Sequence, residues 1–330
     1  MRAVVVEEPG KIVLKGVEPP RINDREVLVK VIMSSICNVT DGHIANGTFD
    51  GYFDFYPQIL GHEVYGEVVE KGKEVKNLRP GDRVELCSVT GAFCEYVKLD
   101  PLSNPVWGLV PKSAPDREAS LYEMFHGAYL CMVYPADIKP NEDVLLVGQG
   151  PMGLTATQFA ALNARSVTTV DMHQNRLDKS LEIGSKYAYD RSKMSSDEIV
   201  AAIEKATGGA DVAFMCIDED KSPELDAWDM AVKALRPGGR MSSLLLAVKN
   251  LRNRLNPNPL LLKNIRLQHE LGRPCDPAEV TRQAMDLVTE RRINMGRLIT
   301  HEVGLEEVAE ALDMTMNRPG EVIKVIVHPS

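Results

Sequence analysis

No C-x-x-C pair occurs in this chain, whose six cysteines (Cys37, Cys87, Cys94, Cys131, Cys216 and Cys275) are scattered along it. That spacing excludes a cysteine-only structural zinc site and speaks against a disulfide framework, so any metal must draw on mixed ligands. Long apolar runs are missing as well. No segment approaches the roughly 18 uninterrupted apolar residues that a membrane-spanning helix needs. The start, Met1 to Glu8, turns acidic after a few apolar residues and has neither the apolar stretch nor the cleavage site of a signal peptide. The cytoplasm is the expected compartment, with no membrane partner. Excess positive charge is also absent: the formal net charge is -9, which removes any general attraction to nucleic acid. The one basic stretch, Lys249 to Arg254, is short and reads as solvated surface.

What is present is an ordinary globular composition, 44% hydrophobic and 26% charged, over 330 residues. A length well above the roughly 100–200 residues of one domain predicts two. Up to about residue 100, short β-branched runs separated by turns (Ala3–Val6, Ile12–Leu14, Val27–Ile32, Val64–Val69, Arg83–Leu86, Cys94–Leu99) predict a small antiparallel barrel or sandwich. Pro80-Gly81-Asp82 and Thr90-Gly91 mark turns between them. Beyond Lys139-Pro140-Asn141-Glu142 the pattern becomes strand–helix alternation. Strands are predicted at Val144–Val147, Ser166–Val170, Val212–Ile217 and Met241–Leu246, with helices near 152–162, 176–183 and 228–235, the last stopped by Pro237-Gly238-Gly239. Such alternation predicts βαβ units around a parallel sheet. Helices at Glu279–Arg291 and Glu306–Thr315 and a strand at Val322–Val327 close the chain.

Gly148-Gln149-Gly150-Pro151-Met152-Gly153 directly follows the strand Val144–Val147 and opens a helix, which is the context a G-x-G-x-x-G dinucleotide turn requires. Gly148 permits the tight turn, Gly150 lets backbone approach a pyrophosphate, and Gly153 allows close helix–strand packing. The amides that open the helix, around Met152, then face the phosphates. Asp171 ends the next strand, about 20 residues on, where a carboxylate binds the adenosine ribose and repels a 2′-phosphate. This favours NAD over NADP. Arg176 stands close enough to receive a phosphate, and a helix-capping role for Asp171 is the plain alternative.

Cys37 lies at the end of a strand-like run, and Gly61-His62-Glu63 precedes another. A thiolate, an imidazole and a carboxylate with one open position make a catalytic rather than a structural zinc site. Each residue also has an ordinary reading, as a buried cysteine or a hydrogen-bonded turn pair. Together with Pro80-Gly81-Asp82-Arg83-Val84, Phe93-Cys94-Glu95-Tyr96-Val97 and the glycine turn, in that order, they make the chain resemble the zinc-containing medium-chain dehydrogenase/reductase superfamily, especially its sorbitol dehydrogenase-like polyol branch. The resemblance spans nearly the whole chain. It implies an α/β protein with a GroES-like β-rich catalytic domain from residues 1–130 and 273–330, and a Rossmann doubly wound parallel-sheet domain from 131–272.

The resemblance further implies one catalytic zinc at Cys37 and His62, with Glu63 a ligand or an immediate neighbour, and Glu123 as a further metal-site carboxylate in competition with Glu118. Thr40 would accept the alcohol proton and His43 pass it on, while the zinc favours the deprotonated alcohol as it favours hydroxide, lowering the pKa of bound water to about 7. The substrate would be a small alcohol or polyol, and the assembly a homo-oligomer, dimer or tetramer. Two departures stand out. The four-cysteine lobe of a structural zinc is missing, so no second zinc is expected. Thr40 follows Cys37 by three residues rather than two, which leaves the register of the proton relay open. Tyr52, Phe53, Phe55, Tyr56 and Trp107 are candidate pocket residues or core aromatics, and His126 reads as a packed histidine. Lys324 is either a neighbour of the cofactor phosphates or an exposed lysine. A metal-free quinone or enoyl reductase and a non-catalytic NAD-binding protein are the competing functions; Cys37 with Gly61-His62-Glu63 counts against the first.

Overall fold

The computed structural model describes residues 1–48, 55–87, 91–104, 107–129, 133–217, 226–243, 257–268, 283 and 285–329. The chain forms two compact units, Met1–Glu123 with Asp276–Ser330, and Met124–Cys275. Tyr52, Phe53, Thr90, Cys131, Cys275, the basic stretch Lys249–Arg254 and the expected domain junctions 130/131 and 272/273 lie wholly or partly outside the described residues.

The first unit opens with β1 (Arg2–Glu8), β2 (Lys11–Gly16), β3 (Val27–Ser35), α1 (Thr40–Asn46), β4 (Gln58–Ile59), β5 (Glu63–Lys71), β6 (Arg83–Cys87), β7 (Tyr96–Leu99), β8 (Trp107–Leu109) and α2 (Asp116–Ala119), and α3 (Tyr122–Ala128) starts at the last two residues of this segment and continues into the second unit. In β3 the side chains alternate, with Val27, Val29 and Val31 buried and Lys30 exposed, as a half-buried strand requires. They pack with Val64, Val68, Val84 and Leu86 in one core. The strand continues past the expected Ile32 to Ser35, and this extension carries the chain to Cys37.

The second unit contains α4 (Tyr134–Ala136), β9 (Asp143–Val147), α5 (Pro151–Asn163), β10 (Ser166–Asp171), α6 (Gln174–Glu182), β11 (Tyr187–Asp190), α7 (Ser196–Thr207), β12 (Ala210–Met215), α8 (Asp226–Ala234), β13 (Leu235–Ser243), α9 (Pro257–Lys263) and β14 (Arg266–Gln268). Its six strands are all parallel, in the order β11-β10-β9-β12-β13-β14. That order reverses between β9 and β12, so the crevice at the carboxyl ends of those two strands is where a doubly wound sheet binds its ligand. Every residue of β9 is buried, as expected of a strand covered on both faces.

Sequence periodicity passed over β11 and α7, although Ser195 and Glu198 form a capping box at the start of α7, a signal legible in Ser195-Ser196-Asp197-Glu198. The turn expected at Pro237-Gly238-Gly239 is instead absorbed into β13. Gly238 takes φ +80°, and the pairing jumps from Ala210↔Leu235 to Val212↔Arg240. Residues 244–246 of that predicted strand lie outside the described residues.

The chain returns to the first unit with β15 (Ile299–Gly304), α10 (Val308–Asn317) and β16 (Lys324–His328). Of the helix expected over Glu279–Arg291, residues 283 and 285–289 are helical, while 279–282 and 284 are not described. The mixed sheet runs β15-β16-β3-β5-β6-β8, with β7 also paired to β3. Among the described residues no helix is long and apolar enough to cross a membrane.

Burial leaves one readable mark on stability. His126, on α3, is 2% exposed beside Phe125, and burial pulls its pKa down to about 4. The unfolded chain therefore binds more protons between pH 4 and the ordinary histidine value near 6.5, and stability rises with pH across that window. The contribution is complete above the unfolded value and is lost as pH falls toward the folded one. Urea unfolding at about pH 7 and about pH 4.5 is expected to differ by on the order of 2 kcal/mol more in the wild type than in His126→Gln.

Candidate metal centre and dinucleotide turn

Cys37 sits in the short connection between β3 and α1, while His62 immediately precedes β5 and Glu63 begins it. The strands bring them together because Ser35 of β3 pairs with Glu63 of β5. Gly61 takes φ +90°, and a Cβ there would press on the Phe93 ring at 2.8 Å, so only glycine lets the chain enter β5 at this angle. The result is one donor atom each from Cys37, His62 and Glu63, all within 4.8 Å of one another.

The surroundings of His62 suit a metal ligand. Its Nδ1 lies 3.0 Å from Oδ1 of Asp41, which is fully buried, and this leaves Nε2 on the side of Glu63, 4.0 Å away. Asp41 Oδ2 accepts the Cys37 backbone N–H at 2.9 Å, so one carboxylate orients two of the three donors. Burial works against a charged His62, but Asp41 and Cys37 outweigh it and hold its pKa well above the ordinary value. Such carboxylate support raises the basicity of a ligating imidazole. Asp41→Ala is expected to weaken zinc binding by roughly 10–100-fold in a chelator competition. Asp41→Asn, which retains an acceptor oxygen, should fall in between.

Glu63 has a second set of partners. It accepts from Ser35 Oγ and from Lys324 Nζ, at 2.9 Å to Oε1 and 2.7 Å to Oε2. Lys324 is only 1% exposed and also donates to the Ile36 carbonyl, which corrects the expectation of an exposed lysine. β16 pairs with β3 and is buried from Lys324 through Val327, which carries this side chain into the unit's interior. Burial disfavours its charge, yet Glu63 and then Cys37 carry its pKa above the usual lysine range. Glu123, on α3, is half-buried and close enough to influence Lys324 and Glu85, but it is not one of the three converging donors. Its rival Glu118 accepts the Met295 backbone N–H at 2.8 Å, a structural contact. Glu85, which sequence reading missed, is 1% exposed on β6. Burial and then Glu123 push its pKa well above the carboxylate range.

Thr40 is the first residue of α1 and His43 follows three positions on, so the two occupy neighbouring places on one helix face. The His43 ring is 9% exposed, with Nδ1 2.5 Å from Thr48 Oγ1. Tyr56 donates to the Ile44 carbonyl and Trp107 Nε1 to that of Pro101, so both read as packing residues, whereas Phe55 is 53% exposed.

In the second unit, Gly148 leaves β9 at φ +92°, and a Cβ there would lie 2.6 Å from the Cys216 carbonyl oxygen. A Cβ on Gly153 would overlap the Gly148 carbonyl oxygen. Gly150 differs: its φ is an ordinary -66°, and an added Cβ would meet only Arg176 Nη1, at 3.8 Å. The protein itself does not need glycine there, and the open space is what a pyrophosphate would require. Gly150 caps α5 without any side-chain cap, so the first-turn amides around Met152 and Gly153 have no side-chain acceptor. Asp171 accepts three backbone N–H groups, from Gln149 (2.5 Å), Met172 (2.7 Å) and His173 (2.9 Å). A carboxylate has about four acceptor sites, so one remains for a ribose hydroxyl. The amides of Met172 and His173 lie before α6, whose N-cap His173 has no side-chain cap bond, so Asp171 does not cap that helix as the plain alternative expected.

The match to known proteins covers both units. A family described as alcohol dehydrogenase GroES-like domain matches residues 23–106, and one described as zinc-binding dehydrogenase matches 151–290. An L-threonine 3-dehydrogenase of Bacillus velezensis is 29% identical, over 100% of this chain and 99% of that protein. A sorbitol dehydrogenase of Saccharomyces cerevisiae is 28% identical, over 98% and 97%. Among solved structures, a protein from Sinorhizobium meliloti described as a zinc-binding dehydrogenase, bound to NADP, superposes with TM-score 0.83 at 25% identity, over 99% of each chain.

Proposed function

Because the chain belongs to the zinc-containing medium-chain dehydrogenase/reductase superfamily, in its polyol dehydrogenase-like branch, we propose that it is a zinc-dependent oxidoreductase. It moves a hydride between a secondary alcohol, polyol or cyclitol and NAD. The observation that carries this reading is the convergence of a thiol, an imidazole and a carboxylate with Asp41 behind two of them. A metal-free reductase has no use for that arrangement. On this reading residues 1–130 with 273–330 form the catalytic domain and 131–272 the NAD-binding domain, and the enzyme is a cytoplasmic homo-oligomer.

Zinc, when bound, supplies Lewis acidity toward the alcohol oxygen, and NAD supplies the hydride acceptor. The chain's residues do the rest. Cys37 and His62 would hold the metal, Asp41 orients the His62 ring, and Glu63 sits beside them, paired to Lys324. Thr40 Oγ1 takes the alcohol proton and His43, its ring held by Thr48, passes it outward. Gly148, Gly150, Met152 and Gly153 receive the pyrophosphate, with the Arg176 guanidinium beside Gly150. Asp171, oriented by three backbone amides, offers a carboxylate oxygen to a ribose hydroxyl and disfavours a 2′-phosphate, which favours NAD.

The test is a metal-quantified NAD-reduction screen over polyols, cyclitols and simple secondary alcohols. About one zinc per chain and NAD reduction lost with a chelator are expected. Full activity without bound metal, or NAD binding with no turnover across the panel, would overturn the reading.

A further inference from the structure

At the opposite end of the parallel sheet from the glycine turn, the amino ends of the strands frame a pocket of about 270 Å3. Arg165 precedes β10, Lys186 precedes β11, and Lys205 lies in the last turn of α7, so three cations converge on one opening from three segments distant in sequence. The carboxylate of Asp143, at the start of β9, also lines it. In a chain whose formal net charge is -9, this is a local excess of positive charge.

Features that would repel an anion here are already neutralised. Asp143 accepts from Arg165 Nε at 3.0 Å, Arg236 Nη2 at 2.7 Å and Ser166 Oγ at 2.7 Å, which satisfies its charge inside the protein. The carboxyl end of α7 would present the negative pole of a helix. Arg236 covers it, donating from Nε to the Gly208 carbonyl at 3.1 Å and from Nη2 to that of Thr207. Among the described residues, Lys186 and Lys205 make no ion pair, and the Lys186 ammonium stands 5.4 Å from the centre of the Tyr187 ring. A lysine at a helix carboxyl end and an arginine on a buried aspartate each have a structural explanation. Their convergence with Lys186 on a single pocket does not follow from either.

We propose that this pocket binds the phosphate group of a small phosphorylated metabolite, at a site distinct from the dinucleotide turn. Two ammonium groups and the outer edge of the Arg165 guanidinium supply charge-assisted donors to the phosphate oxygens. The pocket is larger than a bare phosphate, and the Tyr187 ring offers a flat wall to the organic part.

The test is a backbone-amide NMR titration of the full chain with inorganic phosphate and, separately, with glycerol phosphate, in the wild type and in the Lys186→Gln/Lys205→Gln variant. Both lysines are exposed, so the variant is expected to fold as the wild type does. Saturable shifts at the amides of Arg165, Lys186 and Gly208, weakened at least tenfold in the variant, support the site. Tighter binding of glycerol phosphate identifies an ester as the occupant, and equal binding identifies free phosphate. Shifts confined to Gly148–Gly153, shifts that stay linear to the highest concentration, or undiminished binding in the variant would overturn the proposal.

Discussion

Cys37→Ser or His62→Ala is expected to leave the chain folded and to lower kcat/KM by about 1000-fold or more, with zinc content falling from about one per chain toward zero. The size of the effect follows from the chemistry required. An alcohol is a very weak acid, and a Lewis acid contributes several kcal/mol toward its developing negative charge, each 1.4 kcal/mol being worth about tenfold in rate. Among the described residues of the site, Glu63 is already paired to Lys324, and Glu85 is buried where its charged form is disfavoured, so neither supplies that stabilisation. Elemental analysis alongside kinetics separates the causes. A variant that keeps stoichiometric zinc and loses activity would deny Cys37 or His62 a role as ligand.

The second large effect concerns the glycine turn, where two neighbouring glycines should behave differently. Gly153→Ala places a methyl group on the Gly148 carbonyl oxygen, which forces α5 away from β9. Overpacking of this kind costs typically 1–3 kcal/mol, so both a lower melting temperature and NAD affinity reduced by up to about 100-fold are expected. Gly150→Ala meets only the end of Arg176 and has an ordinary φ, so its melting temperature without cofactor should match the wild type. Its methyl group would nevertheless fill the space reserved for the pyrophosphate, and NAD affinity should fall comparably. Calorimetric titration with NAD and thermal unfolding of both variants check the pair. If Gly150→Ala binds NAD like the wild type, the pyrophosphate does not approach that residue.

Much of the second unit was legible because its signals are local. The apolar run of β9, the glycines that follow it and the acidic residue ending β10 lie within one strand–turn–helix–strand segment, and short-range sterics require them in that order. Pattern reading missed β11 and α7 because β11 is only half-buried and α7 buries only Ile199 and Ile203. In β13, glycine and proline were taken as a stop where the sheet accommodates them as a bulge.

By itself the sequence determined the candidate groups: a thiol and an imidazole able to ligate a metal, a glycine turn of dinucleotide-binding pattern, an acidic residue ending the next strand, and no C-x-x-C pair. Only the tertiary structure decided how these groups are partnered. Asp41 became the support of both Cys37 and His62 because α1 places it beside His62, 21 residues later, at the entry to β5. Lys324 became the counter-charge of Glu63, 261 residues away, because β16 joins β3 and β3 joins β5. Strand pairing between segments so far apart is set by which apolar faces can be buried together. No local pattern encodes that choice, and so the donors could be named from the sequence while the charges that tune them could not.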